Sequence, residues 1–217
     1  GRGVKQSTEN DMEAVRLLLL AEAKDIAAST NLLGWLQQEG RGGLPKDDAM
    51  ARERYEKADA ADEPFAAVNL AVFYRDGRGG LEKNVEEAMR LFRKAADAGN
   101  ARGMFLLAAL HSKRSRGETD TDGQLARQWV ERAAAEGYGD AMMTMGSYAY
   151  IRGDYDGAAD WYLKAFKAGA AIAPPEERRM NQALQRVLRK LGVYDGPIDG
   201  NMGPKTDAAF ERLGEAD

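Results

Sequence analysis

Positions 39–44 of this sequence recur at positions 76–81, and a shift of 37 residues that persists along the chain restricts the fold more than any other feature. Glu39-Gly-Arg-Gly-Gly-Leu44 returns as Asp76-Gly-Arg-Gly-Gly-Leu81. The same shift carries Leu33-Gly34 onto Leu70-Ala71 and then onto Leu107-Ala108, and one residue more brings it to Met145-Gly146. A second anchor keeps step, from Arg54-Tyr-Glu-Lys-Ala58 to Leu91-Phe-Arg-Lys-Ala95, Trp129-Val-Glu-Arg-Ala133 and Trp161-Tyr-Leu-Lys-Ala165. Each unit therefore reads as a first helix with a Leu-Gly, Leu-Ala or Met-Gly pair, a Gly-rich turn, and a second helix ending in Lys/Arg-Ala. Small residues let the paired helices approach closely, and the aromatic rings fill the space between units. One unit cannot bury its apolar face alone, so stacking must stabilise the array.

Composition agrees. Ala dominates a 44% hydrophobic fraction and Pro numbers only 6, which suits helices, while Val/Ile/Thr-rich strand runs are missing. The expected fold is all-α, a right-handed α-solenoid of helix-turn-helix repeats with a small helical C-terminal module.

The pattern Leu-Gly-x-x-Tyr-x-x-Gly-x-Gly, followed by Ala-x-x-Trp/Leu-x-x-Lys-Ala-Ala-x-x-Gly, resembles the Sel-one-like repeat, a relative of the tetratricopeptide repeat. The resemblance spans four copies over residues 26–169. Phe65 to Gly99 fits it best; Gln37 and His111 stand at the Tyr position of the first and third copies, and Gly153-Asp-Tyr155 makes the fourth look more like an ordinary tetratricopeptide unit. Glu13-Ala-Val-Arg-Leu17 matches Glu87-Ala-Met-Arg-Leu91, a shift of 74. Residues 1–25 accordingly read as the second half of a truncated repeat, with Gly1-Arg-Gly-Val4 as the turn before its helix. The chain reads as a fragment of something longer.

Past Gly169 the pattern breaks into a linker at 170–175. Pro175, Glu176 and Glu177 fit a helix start, and Ala183, Leu184, Val187, Leu188 and Leu191 would line one face of a helix that Gly192 ends. Leu191-Gly-Val-Tyr-Asp-Gly-Pro-Ile-Asp-Gly200, Gly203-Pro-Lys-Thr206 and Ala209 resemble the first half of the peptidoglycan-binding domain of bacterial cell-wall proteins, over residues 178–213. That family continues through a further helix, whereas here the sequence ends at Asp217, so residues 176–217 read as a partial module that caps the repeats. The resemblance implies glycan contact at Tyr194, Asp199, Gly200, Gly203 and Thr206. The residues themselves read first as turn-formers, with Pro204 opening the last helix and Thr206 bonding to its first amides.

Several chemistries are disfavoured. The 31 basic and 35 acidic residues are interspersed and give a net charge of −4, with no basic stripe for a nucleic acid. No apolar run reaches membrane-spanning length; Val15 to Ala21, for one, has Arg16 inside it. With no Cys and a single His, neither the usual zinc sites nor a Cys-His pair can be built. His111 occupies the slot of Tyr74 one repeat earlier and reads as a space-filling ring. An EF-hand reading of Asp195 to Thr206 fails, because Pro197 and Thr206 stand where ligands are needed. The Gly-Arg-Gly-Gly runs lack a P-loop's Gly-Lys-Ser/Thr ending. Asp120, Asp122, Asp154 and Asp156 read as helix caps or solvated groups. No catalytic, cofactor-binding or metal-binding residue is assigned, and the chain reads as binding rather than catalytic.

Solenoids gather weak contributions along a concave surface built mainly by the first helix of each unit. By analogy with tetratricopeptide grooves, the partner-binding candidates are Asn31, Trp35 and Gln38 in the first repeat and Asn69, Phe73 and Arg75 in the second. Repeats joined to a wall-binding-like tail resemble the periplasmic region of alphaproteobacterial polarity scaffolds for polar organelle development. That resemblance implies a periplasmic protein-interaction scaffold of the cell envelope, with protein or peptide partners. A peptidoglycan-binding module with the repeats as spacer is the alternative, and a regulatory segment attached to an enzyme is a third.

Overall fold

The computed structural model describes residues 2–115, 121–170 and 178–215, and the side chains of these from residue 10 to residue 213. Eleven helices and no strand occur among the described residues. They are α1 (Arg2–Glu22), α2 (Ala27–Glu39), α3 (Asp48–Ala60), α4 (Pro64–Asp76), α5 (Val85–Asp97) and α6 (Ala101–Arg114), then α7 (Thr121–Ala135), α8 (Gly139–Ile151), α9 (Tyr155–Lys167), α10 (Arg178–Lys190) and α11 (Pro204–Glu215). The chain divides into two compact units, residues 1–107 and 108–217, with the boundary inside α6. The fold is all-α, of the solenoid class, with helices packed in sequential pairs.

Local chemistry sets the helix ends. Asp47, Asn84 and Asp154 stand at the N-caps of α3, α5 and α9, where their side chains accept bonds from otherwise open amides. Gly40 and Gly77 end α2 and α4 at φ 67° and 70°, a conformation that costs glycine nothing. Two turns place aspartate at positive φ, Asp25 at 56° and Asp62 at 57°, again one repeat period apart. Aspartate tolerates that region better than most residues.

Within the first unit, α2 packs on α3 and α4 on α5, with α1 against α2 and α3 against α4. A Cβ placed on Gly34 of α2 would sit 2.8 Å from the Tyr55 ring of α3. The glycine of the Leu-Gly pair is thus the hollow into which a tyrosine fits. Tyr55 is fully buried and meets Phe73 edge-on, with ring centroids 5.4 Å apart. In the second unit Gly146 of α8 receives Tyr162 of α9 in the same way, and a Cβ there would lie 2.6 Å from the ring. The intervening copies of this pair, Ala71 and Ala108, stand in register with Phe92 and Val130, which lack the phenol oxygen or the ring.

The second unit's core runs without a break from the last repeat into the tail. Tyr162 and Leu163 of α9 share one buried cluster with Met180, Ala183, Leu184, Val187 and Leu188 of α10 and with Ala209 and Leu213 of α11. Leu191 does not join the stripe expected of it: it is 52% exposed. Helix α10 ends at Lys190, and the turn through Gly192 at φ 77° carries Leu191 away from the apolar face. At the other end, Arg2, Gly3 and Val4 are helical, so the expected turn there is replaced by an extension of α1. The expected helix start at Pro175 and most of the 170–175 linker lie outside the described residues.

Candidate partner-binding face and C-terminal pocket

The turns that support the first helices are held by a repeated clamp. Arg41 pairs with Asp11 of α1 (Nη2 to Oδ2, 2.9 Å), and Arg78 pairs in two-pronged fashion with Asp48 of α3 at 2.8 and 2.9 Å. Both the arginines and the aspartates are 37 residues apart (41 to 78, 11 to 48). Each guanidinium also lies over a ring of the preceding first helix, Arg41 over Trp35 at 5.1 Å and Arg78 over Phe73 at 4.7 Å. The Gly-Arg-Gly-Gly runs are therefore structural. Their second glycine packs so closely that a Cβ on Gly79 would lie 2.7 Å from the Asp48 carbonyl oxygen.

Two of the six expected groove residues meet directly. Asn69 Nδ2 donates to Asn31 Oδ1 at 2.9 Å, linking α4 to α2, and Arg102 of α6 donates from Nη1 to Asn69 Oδ1 at 3.4 Å. Trp35 is 36% exposed beside this row. Gln38 is already engaged, accepting from the Tyr55 hydroxyl and donating to Glu39. Arg75 pairs with Asp76 at 2.7 Å, and that hydrogen bond holds the Asp76 carboxyl below its ordinary range. Phe73 does not belong to a surface at all. It is 1% exposed, enclosed by Tyr55 and Arg78, and must be removed from the groove. Arg102 and Phe65, which is 57% exposed one turn before Asn69, lie outside the expected set. The repeat register does not supply them, since 31 and 69 are 38 apart and the 37-residue frame aligns Asn31 with Val68.

His111 is buried, as a repeat-slot ring should be, but it is not merely filling space. Its Nδ1–H donates to Asp122 Oδ1 at 2.6 Å, while its Nε2 is buried without a partner among the described residues. Asp122, expected as a cap or a solvated group, is thus the imidazole's acceptor, with Arg114 at 3.6 Å from its other oxygen. Asp154 does cap its helix, and Asp156 pairs with Arg186 of α10 at 3.0 Å. No group of three or more His, Asp or Glu able to hold a metal ion occurs among the described residues. No helix among them is long and apolar enough to cross a membrane.

In the tail, Tyr194, Pro197, Asp199, Asn201, Gly203, Pro204, Lys205 and Thr206 surround a pocket of about 160 Å³. Four of the five residues named for glycan contact line it; Gly200 does not. Gly200 is instead buried, donating its N–H to Gln185 Oε1 at 2.9 Å, and a Cβ there would meet Arg178. Tyr194 is buried too, with its hydroxyl donating to the Pro197 carbonyl at 2.7 Å. Asp199 accepts from the Asn201 backbone N–H at 2.9 Å, and this bond, more than the contacts of Gln185 and the Asn201 side chain, keeps its carboxyl below the usual range. Pro204 opens α11 as expected, and Thr206, the third residue of that helix, is 1% exposed. A second cavity of about 250 Å³ lies between Glu22, Met50, Glu53, Arg54 and Lys57, with its charges balanced.

The Sel1 repeat pattern matches residues 27–58, 64–100, 101–138 and 139–169, more than half of the chain. The chain belongs to the Sel1 repeat family. Among solved structures, a Sel1 repeat protein from Oxalobacter formigenes is similar with a TM-score of 0.66 at 25% identity, over 100% of this chain and 82% of that one. An immunity protein from Pseudomonas aeruginosa is similar with a TM-score of 0.56 at 21% identity, over 93% of this chain and 70% of that one. At that identity the second likeness speaks for the fold alone. No curated protein matches the sequence of this Sel1 repeat chain.

Proposed function

We propose that this Sel1 repeat chain is a non-enzymatic protein-interaction scaffold that holds its partner along the first helices of its repeats. The observation that carries this reading is the surface of α2 and α4. Trp35 and Phe65 stand exposed there beside the bonded pair Asn31–Asn69. Exposed aromatic rings next to amide groups are what a protein-binding surface needs, since the rings supply buried area and the amides supply directed bonds. A photo-crosslinking amino acid at position 65, introduced into the protein in its native cell, should capture a discrete partner. The same group at Lys57, on a second helix, should not. Equal capture at both positions, or none at 65, would remove the reading.

We place the scaffold in the bacterial cell envelope, on the periplasmic side, as part of a cell-polarity or polar-organelle factor. The support is the resemblance of residues 178–213 to a peptidoglycan-binding domain joined to repeats of this kind. In this reading α10 and α11 act first as a cap on the last repeat, because their buried residues are continuous with those of α9. A second reading, direct wall binding, is favoured by one observation: Tyr194, Asp199, Gly203 and Thr206 line a single pocket. Co-sedimentation with isolated peptidoglycan separates the two. The cap reading expects little protein in the pellet. A strong pellet that Asp199→Ala abolishes, without loss of helix, would put wall binding first.

A further inference from the structure

We propose that the row Asn31, Asn69 and Arg102 binds an extended acidic peptide, with an Asp or Glu side chain of the peptide paired to Arg102. The inference rests on the scaffold reading above and names the chemistry of its partner.

The orientation of the row follows from Arg102. A guanidinium can only donate, so the Asn69 carboxamide must turn its oxygen toward it. The Asn69 nitrogen is then directed at Asn31, whose carboxamide oxygen accepts at 2.9 Å. Both amide oxygens are thereby engaged within the row. What the row has left to offer is a set of donors: the Asn31 NH₂, the second N–H of Asn69 and most of the Arg102 guanidinium. The complement of a donor row is a row of acceptors. An extended peptide supplies one in its carbonyl groups, which main-chain recognition uses for affinity. A glycan fits less well, because its hydroxyls must also find acceptors and the row has already used its own.

Charge selects an acidic peptide. Arg102 is exposed, and the single hydrogen bond of its guanidinium among the described residues is the one to Asn69, at 3.4 Å, longer than a normal N–H···O bond. Arg41, Arg75 and Arg78 in the same unit each hold a carboxylate at 2.7–2.9 Å, whereas Arg102 holds none among the described residues. A carboxylate would satisfy it with shorter, charge-assisted bonds. One guanidinium at the row that no carboxylate holds among the described residues suits one acidic side chain rather than a polyanion. Trp35 lies one turn after Asn31 on α2 and Phe65 one turn before Asn69 on α4, so exposed rings flank the row to receive the peptide's apolar side chains.

The test is an array of random octapeptides, acetylated and amidated at their ends so that side chains carry the only carboxylates, probed with the intact chain. Binders should be enriched in Asp or Glu. Affinity of the best acidic binder should fall about tenfold in Arg102→Gln, less in Arg102→Lys, and with rising salt. Asn69→Ala should weaken acidic and neutral binders alike. All three substitutions replace exposed or half-buried groups, and unchanged melting temperatures would show that the fold is kept. Binders without acidic residues, or acidic binders that Arg102→Gln leaves intact, would overturn the inference and leave the scaffold reading standing. No octapeptide binding while crosslinking at position 65 persists would do the same. Loss of both would overturn both.

Discussion

Gly34 and Tyr55 show how one residue's identity dictates its neighbour's. With the glycine's missing Cβ occupied by the ring at 2.8 Å, and the Ala51 carbonyl oxygen 3.2 Å away, Gly34→Ala must push α2 and α3 apart or tilt the ring. We expect a loss of about 1–3 kcal/mol, the usual cost of overpacking, by urea denaturation. A loss near zero would mean that the two helices are not in this close contact. The same tyrosine makes a pH prediction. Burial, the dominant cause, pushes the Tyr55 phenol far above its ordinary 10.0, more than the nearby arginines lower it. A group whose folded-state value is raised contributes stability that is intact below its unfolded value and is lost as the pH climbs past it. The chain should therefore lose stability above about pH 10, and Tyr55→Phe should flatten that alkaline decline in melting temperature. An identical decline in the variant would place the ring's hydroxyl in solvent.

At the scale of the element, the turn between paired helices is a bound structure and not a slack connection. Gly79 combines φ 62° with a backbone approach so close that a Cβ would lie 2.7 Å from the Asp48 carbonyl oxygen, so Gly79→Val meets both backbone strain and a clash. It should cost about 1–3 kcal/mol, while Lys83→Ala should change stability by less than about 0.5 kcal/mol. Comparable melting temperatures for the two variants would contradict this account of the turn. These turns were readable in the sequence because the period repeats their glycines. The Arg41–Asp11 and Arg78–Asp48 clamps follow the same period and could have been found by asking which acidic residues shift with the arginines. The binding face was harder to read. Helices α2 and α4 bury residues on more than one side, since both pack on more than one neighbour, so spacing alone did not separate buried Phe73 from half-exposed Trp35. The Asn31–Asn69 bond breaks the 37-residue frame by one position, and the acceptor of His111 lies on the following helix, where no periodic signal points to it.

Across the molecule, the repeats and their all-helical character were evident from self-similarity alone, whereas the fusion of the tail with the last repeat depends on packing. Leu184 and Leu188 of α10 are fully buried in the cluster that holds Tyr162 and Leu163 of α9. Each such side chain, exposed again, would forfeit about 1.5–3 kcal/mol. In our proposal this Sel1 repeat chain is an interaction scaffold whose C-terminal helices complete its last repeat. The most direct measurement is the thermal and urea unfolding of a chain ending at residue 170, set beside the full chain. The shortened chain should show a clearly lower midpoint or aggregate, because the apolar face of α9 is laid open. An unchanged midpoint, together with an isolated 178–217 segment that folds alone and sediments with peptidoglycan, would contradict it.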